Sequence, residues 1–218
     1  MTTSHREHKT FLYTEAAKVG VALASPVRLE LLELLAQRER SVEDVADEAA
    51  LGIPNASRHL SVLLRAHLVT RRRDGNRIFY RTKPNLASGL LRTVRDTAIK
   101  TNPGLVAALG PDYPVAADAD AAARDAVAAG RAGSALLVDV RPTAEFEAGH
   151  LPGAVSVPLQ KIVARGARPR LPPDRELIVY CRGAFCTWAG EAVAVLRQRG
   201  FDARTLPLGP ADIANAGA

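Results

Sequence analysis

Glu176-Leu177-Ile178-Val179-Tyr180-Cys181-Arg182-Gly183-Ala184-Phe185-Cys186-Thr187 runs from an apolar stretch into a short loop. That loop is bracketed by the only two cysteines of the 218-residue chain. The run Leu177 to Tyr180 predicts a buried strand. From Trp188 the pattern turns helical, with Ala189, Ala192, Val193 and Leu196 on one stripe and Gly200 marking the end. A strand that ends in a cysteine and reopens as a helix aims the sulfur at backbone N–H groups. Those groups stabilise a thiolate.

Working outward, the second half of the chain alternates strand and helix, which predicts a parallel sheet. Asp118 to Ala129 reads as helix and Ala135-Leu136-Leu137-Val138-Asp139-Val140 as a buried strand. Glu145-Phe146 begins a short helical turn. Val155-Ser156-Val157 and Arg204-Thr205-Leu206 read as further short strands.

The first half reads differently. Phe11 to Ala24 is apolar at helical spacing, and Ser25-Pro26 restarts a helix with Val27, Leu31, Leu34 and Leu35 inward. Ser41-Val42-Glu43-Asp44 has the outline of a capping box opening a short helix. Leu51-Gly52-Ile53 makes a turn, Pro54 sits at the next helix start, and Leu60, Leu63 and Leu64 form its inward stripe. A strand from Leu68 to Arg72 meets Ile78 to Arg81 across Asp74-Gly75-Asn76, which is hairpin chemistry. Leu86 to Ile99 closes the half with an amphipathic helix. Pro103, Gly104, Gly110, Pro111 and Pro114 then punctuate the chain, so the expected organisation is a domain over 1–101, a linker over 102–116 and a domain over 117–218.

Charge follows the same division. The net charge is +6, and residues 1–101 carry all of the excess, with 17 basic against 11 acidic side chains. A polyanion partner is therefore sought in the first half. With 47% hydrophobic and 24% charged residues the composition is that of a globular protein with a buried core. No stretch approaches a membrane span, and Thr2 to Thr10 is polar rather than a signal peptide. Two cysteines are too few for a secreted disulfide framework, so a cytoplasmic protein with reduced, reactive thiols is expected.

Two short helices joined by a glycine-containing turn and followed by a basic hairpin describe a winged helix-turn-helix. Its second helix presents Asn55, Ser57, Arg58, His59 and Arg65 outward, and the wing carries Arg71, Arg72, Arg73 and Arg77. Asn pairs with adenine and Arg with guanine in the major groove, and arginines on a wing suit phosphate or minor-groove contact. His59 is open between a DNA contact and a structural hydrogen bond.

These stretches resemble the ArsR family of bacterial repressors. The likeness lies in Pro54 to Leu63 as recognition helix, Arg71 to Arg81 as wing and Ala24 to Leu29 as second-helix start. The resemblance implies a homodimer on an operator in double-stranded DNA. Metal-sensing relatives carry cysteines in the first helix of the motif or histidines on the dimer helix. Ser41 to Ala50 has no cysteine and Asn85 to Thr101 no histidine, so no metal site is expected.

The second half resembles the rhodanese domain through Leu137-Val138-Asp139-Val140-Arg141, Glu145-Phe146, Gly149-His150-Leu151-Pro152-Gly153-Ala154 and Val179-Tyr180-Cys181-Arg182. The expected fold is thus a mainly α winged helix-turn-helix joined to an α/β domain with a central parallel sheet. The resemblance implies that Cys181 carries a persulfide taken from a sulfane-sulfur donor such as thiosulfate or polysulfide. Residues 182–187 would form its cradle, with Arg182 adding positive charge. Asp139 and Arg141 either assist the chemistry or form an ion pair that fixes the loops below the site. The cradle of that family has Gly at its fourth position and Arg at its sixth, where this chain has Ala184 and Cys186. Cys186 either attacks the persulfide, leaving a disulfide, or fills space. Leu206-Pro207-Leu208-Gly209-Pro210-Ala211 replaces the family's Gly-Gly turn and Trp-bearing helix, so one pocket wall is expected to be shortened. No cofactor is implied. The function expected is a regulator, most simply a repressor, that senses sulfur or redox state at Cys181. The alternative is a sulfurtransferase with an attached DNA-binding module.

Overall fold

The computed structural model describes residues 3–83, 86–109, 116–166 and 169–213. They form two compact units, Met1–Leu91 and Arg92–Ala218. The division falls ten residues before the expected end of the first domain. Gly110, Pro111 and Pro114 lie outside the described residues, whereas Pro103 and Gly104 begin a helix.

The first unit contains α1 (Thr3–Leu23), α2 (Pro26–Gln37), β1 (Arg40–Ser41), α3 (Val42–Glu48), α4 (Ile53–Arg65), β2 (Val69–Asp74) and β3 (Arg77–Thr82). Local chemistry sets these boundaries. Ser25 caps α2 by accepting from Arg28 N–H, with Pro26 in the first turn. At α3, Ser41 accepts from Asp44 N–H while Asp44 accepts from Ser41 N–H, a complete capping box. The three-stranded sheet has the order β1-β3-β2, all antiparallel. Asp74 pairs with Arg77 across the two-residue connection Gly75-Asn76, and Gly75 takes φ 57°, which a side chain disfavours. Leu31, Leu34 and Leu35 of α2, Val45 of α3, and Ala56, Leu60 and Leu63 of α4 meet Val69 and Tyr80 in one core. Each buried leucine or valine among them stabilises the unit by about 1.5–3 kcal/mol.

Helix α5 (Leu86–Thr101) continues into the second unit, to which its residues from Arg92 onward belong. There follow α6 (Pro103–Leu109), α7 (Ala116–Ala132), β4 (Ala135–Asp139), α8 (Thr143–Ala148), β5 (Val155–Ser156), α9 (Leu159–Val163), β6 (Glu176–Tyr180), α10 (Trp188–Gln198), β7 (Ala203–Leu206) and α11 (Pro210–Ile213). All pairings in the sheet are parallel, in the order β5-β4-β6-β7, with Val138 opposite Val179 and Val179 opposite Thr205.

Successive residues of β6 face opposite sides. Leu177 and Val179 pack with Ala192, Val193 and Leu196 of α10, while Ile178 and Tyr180 pack with Ala123 and Ala126 of α7. A sheet covered on both faces needs continuous apolar strands, and that is the pattern of β4 and β6. Asp139 ends β4 and Cys181 follows the last residue of β6, so both stand at the carboxyl edge of the sheet. Ligand sites of open parallel sheets occupy that edge.

Candidate functional sites

Cys181 and Cys186 form a disulfide, with Cα atoms 6.2 Å apart. That separation lies within the bridging range. The loop closes on itself through Cys186 N–H, which donates to the Gly183 carbonyl at 3.1 Å. That N–H therefore serves the turn rather than an anion at Cys181. The thiols expected to be free are thus joined to each other. Cys181 is 2% exposed, whereas Cys186 is only half-buried. Cys186 is therefore the more exposed of the two cysteines.

Arg182 does not point a free cation at the sulfurs. Its Nη2 donates to Glu145 Oε1 at 2.7 Å and its Nε to Oε2 at 3.1 Å, and both side chains are buried. The same guanidinium lies 4.5 Å from the centroid of the Trp188 ring. Asp139 and Arg141 form a second buried pair. Arg141 Nη2 reaches Asp139 Oδ2 at 2.6 Å and Nε reaches Oδ1 at 3.0 Å, while Nη2 also donates to the Gly149 carbonyl at 2.7 Å. This arrangement ties the end of β4 to the loop after α8. Beside it, Tyr180 accepts from Leu151 N–H at 3.2 Å. Burial, and then the Asp139 charge, push its phenol far above the usual range.

A third buried pair was not foreseen from the sequence. Asp212 of α11 binds the guanidinium of Arg95 on α5 and accepts from Gly209 N–H at 3.0 Å. Burial pushes the Asp212 carboxyl up, against the pull of Arg95 and Gly209. Gly183, with φ 151°, lies so close that a Cβ there would strike the Arg95 guanidinium. Arg95 and Asp212 therefore brace the loop from behind. The segment expected to be a shortened wall supplies Asp212.

In the first unit, α4 buries Ala56, Leu60 and Leu63 and leaves Arg58 and Arg65 exposed. Asn55 Oδ1 accepts from Arg58 Nη2 at 2.9 Å, which holds the two candidate base-reading side chains together. Ser57 is half-buried, and its carbonyl accepts from Ser61 Oγ at 2.8 Å. Burial, with Arg28 and Arg58 nearby, lowers the pKa of half-buried His59, which favours the neutral ring.

The wing arginines divide into two kinds. Arg72 is held by Glu39 at 2.7 Å and Asp74 at 3.0 Å, over the Phe79 ring. Arg77 donates to Ser41 Oγ at 2.7 Å and reaches Asp44 at 3.2 Å, which ties the wing to the capping box of α3. Arg73 bonds the Gly75 carbonyl at 3.0 Å. Arg71 is exposed and makes no ion pair among the described residues. No helix among the described residues is long and apolar enough to cross a membrane.

Residues 23–72 match the helix-turn-helix domain family, and residues 122–213 match the rhodanese-like domain family. Together they define a class of transcriptional regulator with a DNA-binding winged helix and a fused rhodanese-like domain. Over 206 residues, 92% of this chain and 87% of the relative, the chain is 36% identical to the HTH-type transcriptional regulator Rv0324 of Mycobacterium tuberculosis. It belongs to that family, the ArsR-type winged-helix regulators with a rhodanese-like domain. A sulfurtransferase of Allochromatium vinosum is 36% identical over 66 residues, 30% of this chain and 58% of that protein. Among solved structures, the homodimeric winged helix-turn-helix DNA-binding domain (fragment 1–100) of Mb0332 from Mycobacterium bovis matches with 39% identity. It covers 41% of this chain and 83% of that one, with a TM-score of 0.39.

Proposed function

We propose that this regulator is a cytoplasmic, homodimeric repressor whose rhodanese-like domain reads reactive sulfur or redox state at Cys181. The observation that carries this reading is the Cys181–Cys186 pair, whose Cα atoms stand 6.2 Å apart in one loop at the carboxyl edge of the sheet. A sulfane-sulfur donor such as polysulfide places an outer sulfur on Cys181. The Cys186 thiolate then attacks the Cys181 sulfur, the bond to the outer sulfur breaks, and hydrosulfide leaves. The disulfide that remains is a closed loop, and its opening or closing biases the dimer between states of different DNA affinity.

The recognition helix, with Asn55, Ser57, Arg58, His59 and Arg65, meets operator DNA, and the wing, with Arg71, Arg72, Arg73 and Arg77, lies along the backbone. Phe11, Tyr13 and Val21 of α1 are 60%, 68% and 66% exposed, apolar side chains that a second copy of the chain would cover. The test is a gel-shift titration of the untreated and polysulfide-treated protein against its promoter DNA, with Cys181→Ser and Cys186→Ser variants. Treatment should change the affinity of the wild type alone. Equal affinity for all forms would overturn the sensing reading.

Turnover as a sulfurtransferase is the second reading, supported by the likeness to the Allochromatium vinosum protein. The pairing of Arg182 with Glu145 argues against it. Thiosulfate:cyanide turnover that survives Cys186→Ser, with DNA affinity blind to sulfur, would favour it.

A further inference from the structure

A cavity of about 350 Å³ opens beside the cysteine loop, within the size range of small-molecule pockets. Its lining includes Cys186 but not Cys181, and its walls are largely apolar, from Leu109 of α6, Ala194 of α10, Leu206 at the end of β7 and Pro207 after it. Two charged residues also line it, Glu191 and Arg197, one of each sign. The Arg197 guanidinium is already tied to the Ala203 carbonyl at 2.7 Å. The space therefore offers apolar contact and no net charge, and Cys186, the more exposed cysteine of the disulfide, stands in its wall.

We propose that this cavity admits a small thiol with an uncharged, apolar body and directs it to Cys186. The inference rests on the reading of the Cys181–Cys186 pair as the sensing site and names the chemical class that resets it. In the first step the thiolate of the ligand bonds to Cys186 Sγ. The Cys181–Cys186 bond breaks, and its electron pair leaves on Cys181 as a thiolate. A second molecule of the thiol attacks the sulfur of the first, forming the free ligand disulfide and releasing Cys186 as a thiolate. Two thiols are oxidised to one disulfide, and the protein disulfide is reduced to two thiols. Attack at Cys186 leaves the buried sulfur, at the end of β6 and before α10, as the leaving group.

The experiment uses the air-oxidised full-length chain and two probes, benzyl mercaptan and the anionic 2-mercaptoethanesulfonate, at equal thiolate concentration. Benzyl mercaptan should open the disulfide roughly tenfold faster, the scale of one small apolar group in a fitted pocket. The trapped mixed disulfide should map to Cys186 by peptide mass spectrometry. Ala194→Trp, which fills the cavity from the exposed side of α10, should lower the ratio of benzyl to sulfonate rates several-fold. Ala194→Lys should move the ratio the same way by attracting the anion, and it tests the same wall if the Trp variant does not fold. Equal rates for the two probes, adducts on Cys181, or an unchanged ratio in both variants would overturn the proposal while leaving the sensing reading in place. Failure of the oxidised chain to hold any Cys181–Cys186 bond would overturn both.

Discussion

Asp212 and Arg95 meet across 117 residues of sequence, and the contact lies directly behind Gly183 of the cysteine loop. Both side chains are buried, 3% and 4% exposed. Truncating one member of such a pair strands the other charge, at a cost of about 3–5 kcal/mol. Asp212→Ala should therefore shift the second unit's transition to lower denaturant in a urea titration of the full chain followed by circular dichroism. An unshifted midpoint would show that the pair contributes no stability.

Reduction of the Cys181–Cys186 bond should destabilise the second unit only modestly. The cysteines are five residues apart, so the closed loop is short. Loop-closure entropy for so short a loop amounts to about 2 kcal/mol. Cys186→Ser should show the same loss in oxidising buffer and no further loss on adding reductant. A larger, variant-specific drop would mean that Cys186 supports the fold by packing.

The stability of the first unit should fall as the solution is acidified from neutrality. His59 has a folded pKa below its ordinary 6.5, chiefly through burial. The unfolded chain therefore binds more protons in that window, so the contribution is present above 6.5 and is lost as pH falls through the folded value. His59→Gln should flatten this segment of a stability-against-pH curve measured by denaturant. A variant whose curve parallels the wild type would assign the slope to another group.

Salt dependence should separate the wing arginines. Arg71 is exposed and without an ion pair among the described residues, whereas Arg72 is already held by Glu39 and Asp74. On a short duplex of random sequence, Arg71→Ala should reduce the slope of log affinity against log salt by about one. Arg72→Ala should change it less. Equal slopes for both variants would remove the distinction.

Arg58→Ala should act differently, costing about 1–3 kcal/mol on the preferred site and relaxing the choice of base there. A uniform loss across sequences in a binding-site selection would reassign Arg58 to phosphate contact.

Features written within a few residues could be read from the chain. The Ser41–Asp44 capping box, Pro54 at the start of α4 and the Asp74-Gly75-Asn76 turn each carry their own signal, and each stands where that signal puts it. The apolar runs of β4 and β6 likewise marked buried strands, and their alternation with helices implied a parallel sheet. Pairings between distant residues were not legible. Arg182 looks like a cation offered to the sulfur site, yet Glu145, 37 residues earlier, holds it. Arg95 reads as one more basic residue on an amphipathic helix, and Asp212 sits in a segment without periodicity. Burial of a charge depends on what the fold places around it, and no local pattern records that.

Trp188 is the only tryptophan in the sequence, and its ring faces the Arg182 guanidinium two residues from Cys186. The chain thus carries its own optical label beside the Cys181–Cys186 bond. Indole emission is quenched by neighbouring sulfur and perturbed by a stacked cation, and no second indole dilutes the signal. Intrinsic fluorescence of the unmodified protein should therefore follow the state of the loop in real time, bound to DNA or free.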